Sequence, residues 1–220
     1  MTISLNYSDS QRGATFAAPT VADGDIMIVT MMSDSGAVGG SLLGWTSIHD
    51  REHASATLGY QSLYKVASSE SGGYTFSVTG CDIGLIHIFR DSVGGGTWSL
   101  PDDSTNEADS ATGTTAAVAN STDDVMFVAY ANDGNRSVTT PPSGMTAGEG
   151  FQQDSSRAMF SYYEILSSGS GSDTRTLVWS ASEQIINAAI VARYTVAGGG
   201  ATPKGPLGHP FYGPFRGPIS

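Results

Sequence analysis

Apolar residues occur along this chain in short runs of strand length, separated by turns rich in glycine, serine and aspartate. The clearest run extends from Ile26 to Met32 after the turn Asp23-Gly24-Asp25, and its near-continuous apolar character predicts a central strand covered on both faces. Leu58 to Ala67, Tyr74 to Thr79 and Gly84 to Arg90 predict three more strands. Because no segment of this half has a helical period, we predict an all-β fold.

The same order of elements returns in the second half of the chain. A strand from Val125, the triplet Gly144-Met145-Thr146 and Arg193 follow Ile26, Gly44-Trp45-Thr46 and Arg90 at separations of 99 to 103 residues. Two further strands are predicted at 176–180 and 187–193, in the places of 75–79 and 84–90. Agreement in this order predicts two tandem, sequence-similar halves, at about residues 13–93 and 113–196.

Two halves of about four strands each predict one domain, residues 1–197, with a jelly-roll-like double-sheet sandwich in which each half supplies strands to both sheets. The alternative is two separate small sandwiches. The triglycine at 94–96 and the acidic segment at 102–109 are candidate linkers between the halves, although Trp98 and Leu100 among them have the character of packed residues.

Residues 198–220 form a different kind of segment, an extended arm rich in proline and glycine. Proline recurs every four residues from Pro206 and is each time followed by an apolar residue, which excludes a regular helix or a central strand. We predict a docking arm that binds a neighbouring subunit. The alternative is a tail that is disordered or packs on its own domain. The predicted partner-binding residues are Leu207, Pro210, Phe211, Tyr212, Pro214, Phe215 and Ile219.

The net charge and the distribution of apolar residues exclude some classes of binding partner from the prediction. The net charge of −11 would repel a phosphate backbone, and basic residues do not cluster with aromatic ones, so nucleic acid is not a predicted partner. The start of the sequence has no signal-peptide pattern and no run is long enough to span a bilayer, so we predict no membrane association and synthesis in the cytoplasm. Cys81, the only cysteine, excludes an intramolecular disulfide.

One segment carries a catalytic pattern. His49-Asp50-Arg51-Glu52-His53 spells H-x-x-E-H, the inverted motif of zinc peptidases, which requires a helix so that both histidines share the metal. Here the segment adjoins a predicted strand and has no third ligand in view. A solvated charged loop is the favoured interpretation, with a hydrolase as the alternative.

The other candidates for chemistry have structural interpretations. The acidic segment at 102–109 lacks the EF-hand order, so a hydrated loop is favoured over a calcium site. Trp45, Trp98 and Trp179 favour core packing over a sugar platform, and His87 favours a core or interface role. Arg90 and Arg193 are predicted to form structural hydrogen bonds. We therefore predict no catalytic residues, no metal, no cofactor and no enzyme activity.

The order of motifs resembles that of β-sandwich structural proteins of tailed bacteriophages and prophages. The resemblance rests on Gly24-Asp25 before an apolar strand, Gly44-Trp45-Thr46, Tyr64-Lys65-Val66-Ala67, a strand ending in Arg90, the repetition of this set and the proline-rich arm, and it covers about residues 13–220. The second half departs from the pattern at Met145 and Glu164, which replace Trp45 and Lys65.

This resemblance implies a virion protein, either a capsid decoration (cement) protein or a tail-associated module, with a jelly-roll-like fold and assembly as a homo-oligomer such as a trimer. The implied partners are the major capsid protein or other virion subunits. A compact domain with an apolar arm favours capsid decoration. The alternative is a receptor- or carbohydrate-binding module on a tail.

Overall fold

The computed structural model describes residues 2–153 and 156–196 of the 220-residue chain, with the side chain of residue 153 excepted. Within these residues the protein is all-β, as predicted, and its sheets are antiparallel. The described part of the chain holds no helix that could cross a membrane. The predicted arm at 198–220 lies outside the described residues.

The strands fall into two sets that follow one another along the chain. The first set is β1 (Ile3–Arg12), β2 (Thr15–Phe16), β3 (Ile26–Ser33), β4 (Thr46–Glu52), β5 (Gly59–Val66), β6 (Tyr74–Thr75) and β7 (Ile83–Asp91). The second set is β8 (Gly96–Thr114), β9 (Val125–Asn132), β10 (Val138–Thr140), β11 (Thr146–Gln153), β12 (Arg157–Ile165) and β13 (Thr176–Val196).

Each set forms one main sheet, and the two sheets have the same strand order. The first sheet runs β1-β7-β3-β5-β4, with β2 and β6 paired separately. In the second sheet β8 pairs with β13, which is followed by β9, β12 and β11, and the short β10 pairs with another stretch of β13. In both sheets the last long strand of the set therefore lies between the first strand and the apolar strand that was predicted to be central.

The central strands β3 and β9 are buried at every residue, which confirms the interpretation of their apolar runs. Alternate residues face opposite sides of a strand. Ile26 and Ile28 of β3 therefore belong to the core between the sheets, with Phe127 of β9, whereas Met27 and Val29 pack in a second cluster on the outer face. A third cluster covers the outer face of the second sheet.

Three interpretations of how the predicted strands are arranged differ from the structure. The sheets do not exchange strands, so the jelly-roll-like arrangement with each half contributing to both sheets is wrong for the described residues. The predicted strand at 74–79 is limited to Tyr74–Thr75, although Phe76 remains buried. The strands predicted at 176–180 and 187–193 are parts of one strand, Thr176–Val196.

The acidic segment at 102–109 is a strand, not a linker or an unstructured loop. It forms the middle of β8, which pairs with β13 along nearly its whole length. Pro101 lies within this strand, and proline is tolerated there because β8 is at the edge of its sheet. Charges along an edge strand also discourage pairing with other chains. The acidic and polar composition that suggested a loop is therefore also suited to a solvent-exposed edge strand.

Candidate functional site

Residues His49 to Glu52 of the H-x-x-E-H segment lie in the edge strand β4, and His53 follows directly after it. The segment is therefore extended and not helical, and the favoured interpretation as a solvated loop is wrong because His49 and His53 are buried. Side chains two residues apart in a strand share a face, so His49, Arg51 and His53 form a row directed towards the second sheet. In this geometry the two histidines are separated by about 13 Å of strand, not by one helical turn. Among the described residues, no three His, Cys, Asp or Glu side chains are grouped to hold a metal ion.

Polar side chains of the edge strand β8 meet this row, and we refer to the contact between the two strands as the seam. It joins the two sheets through polar side chains, in addition to the apolar core that lies between them. The three pairs are His49 Nε2 with Asp103 Oδ2 (2.9 Å), Arg51 Nε with Thr105 Oγ1 (2.9 Å) and His53 Nε2 with Asp109 Oδ1 (3.8 Å).

His49 is buried within the seam and has a partner on each side of its ring. Its Nδ1 lies 2.7 Å from the hydroxyl of Ser62, which completes a Ser-His-Asp sequence of contacts with Asp103. In a hydrolase triad the serine is accessible and the aspartate is buried. Here the burial is reversed, because Ser62 is fully buried while Asp103 is partly exposed. Burial lowers the pKa of His49, and the Asp103 carboxylate opposes this shift. The set therefore holds strands together and offers no accessible nucleophile at Ser62.

A cleft of about 290 Å³ opens along the seam. It is lined by a guanidinium group, two carboxylates, a hydroxyl group and an amide, with one apolar side chain. The lining residues are Arg51, Glu52, Thr105, Asn106, Glu107 and Ile186. This mixture of donors and acceptors suits a polar ligand.

The arginines that end equivalent strands form structural hydrogen bonds, as predicted. Arg90 donates through Nε and Nη2 to the carboxylate of Asp25, at 2.8 and 2.7 Å. Arg193 makes the same two bonds to Asp124, both at 2.8 Å. Both carboxylates are buried at the start of a central strand, so each pair ties the last strand of its set to that strand.

His87 is a core histidine, as predicted. It is fully buried between the sheets, where its Nε2 lies 2.9 Å from the hydroxyl of Ser161 and its ring packs against Phe127. Burial lowers its pKa to about 3, so the imidazole is neutral at pH 7. Gly148 is required beside it, because a Cβ there would lie 2.7 Å from His87 Nε2.

The three tryptophans do not form a common platform. Trp45 packs edge-on against Tyr74 and Phe76 over the first sheet. Trp98 is buried beside Tyr194 in the core between the sheets, and Trp179 lies in the outer cluster of the second sheet. The core-packing interpretation is therefore correct.

The sequence interpretation missed the seam partners Ser62, Asp103 and Asp109. A signal was present, because Asp103, Thr105, Glu107 and Asp109 recur at every second position, as expected for one face of a strand. The predicted partner-binding residues lie outside the described residues. These are Leu207, Pro210, Phe211, Tyr212, Pro214, Phe215 and Ile219.

No protein-family model, curated protein or solved structure matches this chain. The resemblance to phage β-sandwich proteins therefore rests on the sequence motifs, and it stays a prediction.

Replacing His49 by alanine is expected to lower the free energy of unfolding by about 1–3 kcal/mol, because Ser62 and Asp103 lose a buried partner. Urea unfolding monitored by circular dichroism measures this loss. The matched control is Asp50→Ala, in the same strand with an exposed side chain, for which we expect a change within about 0.5 kcal/mol. Equal losses for the two variants would contradict the role assigned to the seam.

Proposed function

We propose that this protein is a structural component of a phage virion, a capsid decoration (cement) protein that binds neighbouring shell subunits. The observation that carries this proposal is that the polar residues considered as candidates for chemistry make contacts between strands. His49, Arg90 and Arg193 all make contacts between strands, so the body acts as a scaffold. Binding is then assigned to the arm at 198–220, because its sequence places an apolar residue after each proline from Pro206.

The scaffold is proposed to consist of two tandem copies of one β-unit, related by a pseudo-twofold axis near β3 and β9. The equal strand orders support this, and so do the matching pairs Asp25–Arg90 and Asp124–Arg193. The sheet edges also correspond, since β4 lies against β8 and its counterpart β11 lies against β1. We therefore look for the functional residues in features that the two halves do not share, including the arm at 198–220.

The proposed partners are the major capsid protein or other virion subunits, with further copies of this chain in a homo-oligomer such as a trimer. Assembly would follow synthesis in the host cytoplasm and place the protein in the virion. An extended, proline-rich segment loses little conformational entropy when it binds, which favours an arm of this composition as the contact.

Simultaneous replacement of Phe211 and Phe215 by serine is expected to reduce co-sedimentation of the full-length protein with phage capsids at least tenfold. Each change removes a large apolar side chain from the proposed contact, and loss of about 1.4 kcal/mol already gives a tenfold change. The matched control is His209→Ser in the same arm, which should bind as the natural protein does. Unchanged binding of the double variant would refute the docking role of the arm.

The second candidate is a receptor- or carbohydrate-binding module on a phage tail, and the seam cleft favours it. Carboxylate, amide and guanidinium groups around one apolar side chain are suited to a polyhydroxylated ligand. A glycan array separates the two proposals, since binding that is lost with Glu107→Gln but retained in the arm variant would support the module.

A further inference from the structure

The large apolar side chains that stay exposed in the described part of the chain all lie at one end of the sandwich, which we call the apolar end. They are Leu43, Val66, Val93 and Val196, and each is more than a third exposed. Leu43 precedes β4, Val66 ends β5, Val93 follows β7 and Val196 ends β13. Single exposed apolar residues are ordinary on a protein surface, whereas several at one end indicate a contact surface.

The pairing of the strands places these residues together. Val66 pairs with Ile26 at the start of β3, and Ile26 pairs with Phe89 near the end of β7. β4 begins beside the end of β5. Val196 pairs with Gly96 at the start of β8, which follows β7 after a short turn. Neighbouring strands are about 4.8 Å apart, so the part of the apolar end that belongs to the first sheet spans about 14 Å.

Two of the four residues extend the apolar core to the surface. Alternate residues of a strand share a face, so Val66 faces the same side as Tyr64, and Val196 faces the same side as Tyr194. Tyr194 belongs to the core between the sheets, and Tyr64 packs against that core. The core is therefore incompletely covered at this end, and a covering segment would remove apolar surface from water.

The opposite end of the sandwich has charged pairs. There Arg157 contacts Asp34 and also lies 2.9 Å from Asp82 through its Nη1. Arg136 Nε donates to Glu183 Oε1 at 3.0 Å. Among the described residues, the exposed large apolar side chains are thus confined to the end where β13 stops.

The arm at 198–220 is the segment best placed to cover the apolar end. It follows Val196, which is itself part of this surface. Leu207, the first apolar residue after a proline of the arm's repeat, comes eleven positions after Val196. Eleven residues of extended chain span up to about 36 Å, whereas a sheet of five strands is about 19 Å wide. The arm can therefore reach every residue of the apolar end on its own chain.

The charges of the two surfaces are complementary. The arm contains Lys204 and Arg216 and no aspartate or glutamate, so the rest of the chain carries all 21 acidic residues and only eight basic ones. The turns before β3 and β9 expose Asp23 and Asp123 at the same end. Attraction between exposed charges is weak and is screened by salt. It favours the approach of the arm, and the apolar contacts provide most of the affinity.

We propose that the arm docks on the apolar end of its own chain, with the apolar residues that follow its prolines against Leu43, Val66, Val93 and Val196. Tethering favours this contact, because a linked segment has an effective concentration on the order of millimolar. The inference goes beyond the proposed function and does not depend on it. In a virion, binding of the arm to a shell subunit would compete with docking on its own chain.

The test is disulfide trapping in the full-length protein, with cysteines placed beside the contact so that its apolar residues are kept. Ser92→Cys lies next to Val93 at the apolar end, and His209→Cys lies in the arm. The matched control combines His209→Cys with Ser35→Cys, which changes an exposed serine at the opposite end. An arm that moves freely reaches both ends, so docking is expected to make the disulfide within one chain form at least tenfold faster in the first variant.

A third substitution tests the apolar contact itself. Leu43→Ser removes an almost fully exposed side chain, which leaves folding intact, and should slow trapping in the first variant at least threefold. Equal trapping rates at the two ends would overturn the proposal. Disulfide-linked dimers on mixing the two single variants, Ser92→Cys and His209→Cys, would also overturn it, because the arm would then dock on a second copy. No capsid is present, so failure here is distinct from failure of the proposed function.

Discussion

Replacing Asp124 by alanine is expected to lower the free energy of unfolding by about 2–4 kcal/mol, one of the largest effects of a single change outside the apolar core. The Asp124 carboxylate is fully buried, accepts two hydrogen bonds from Arg193 and also accepts the backbone N–H of Ser121 at 2.7 Å. The loss stays below that of a fully buried ion pair because Arg193 is 37% exposed and can be hydrated.

The equivalent change Asp25→Ala is expected to cost the same within about 1 kcal/mol, because Asp25 has the same partners, Arg90 and the backbone N–H of Ala22. Urea unfolding measures both. The control is Asp109→Ala, whose side chain is 77% exposed and should change stability by less than about 0.5 kcal/mol. If Asp124→Ala lost no more stability than Asp109→Ala, the Asp124–Arg193 pair would not contribute to stability. Unequal losses for Asp25→Ala and Asp124→Ala would contradict the proposed equivalence of the two halves.

Acidification is expected to destabilise the protein through His87, the second large effect. Burial lowers its pKa in the folded state to about 3, below the value of about 6.5 in an unfolded chain. The unfolded state therefore binds the proton first. The contribution of His87 is complete above about pH 6.5 and is lost as the pH falls towards 3, at about 1.4 kcal/mol per pH unit.

Between about pH 6.5 and 4.5 this amounts to roughly 2 kcal/mol, because half of the unfolded-state imidazole is already protonated at pH 6.5. The measurement compares urea unfolding at the two pH values for the natural protein and for His87→Gln, whose amide can still reach Ser161 but does not titrate. The pH-dependent loss should be smaller in the variant by about 2 kcal/mol, whatever its stability at neutral pH. Burial also lowers the pKa of His49, which remains in both proteins, so the difference isolates His87. Equal losses in both proteins would contradict this role.

Local patterns in the sequence were sufficient to predict the central strands and the structural role of the arginines that are bonded to them. The apolar runs at β3 and β9 predicted strands buried on both faces because only a covered strand favours apolar residues at consecutive positions. Arg90 and Arg193 were recognised as structural because they end strands at matching positions, and the structure pairs each with a buried aspartate.

The candidate sites could not be predicted in the same way. His49 and Asp103 are far apart in sequence, and their contact depends on β4 and β8 lying at the same side of the sandwich. The acidic segment was interpreted as a loop because local composition favours solvent, but solvent is also what an edge strand faces.

The sequence by itself determined an all-β chain and the positions of its most apolar strands. Only the tertiary structure decided that each set of strands forms its own main sheet and that His49 of the H-x-x-E-H segment lies in a strand within the seam. The physical reason is that periodicity reports which face of a strand is buried, whereas the partner of that face is chosen by packing between strands distant in sequence.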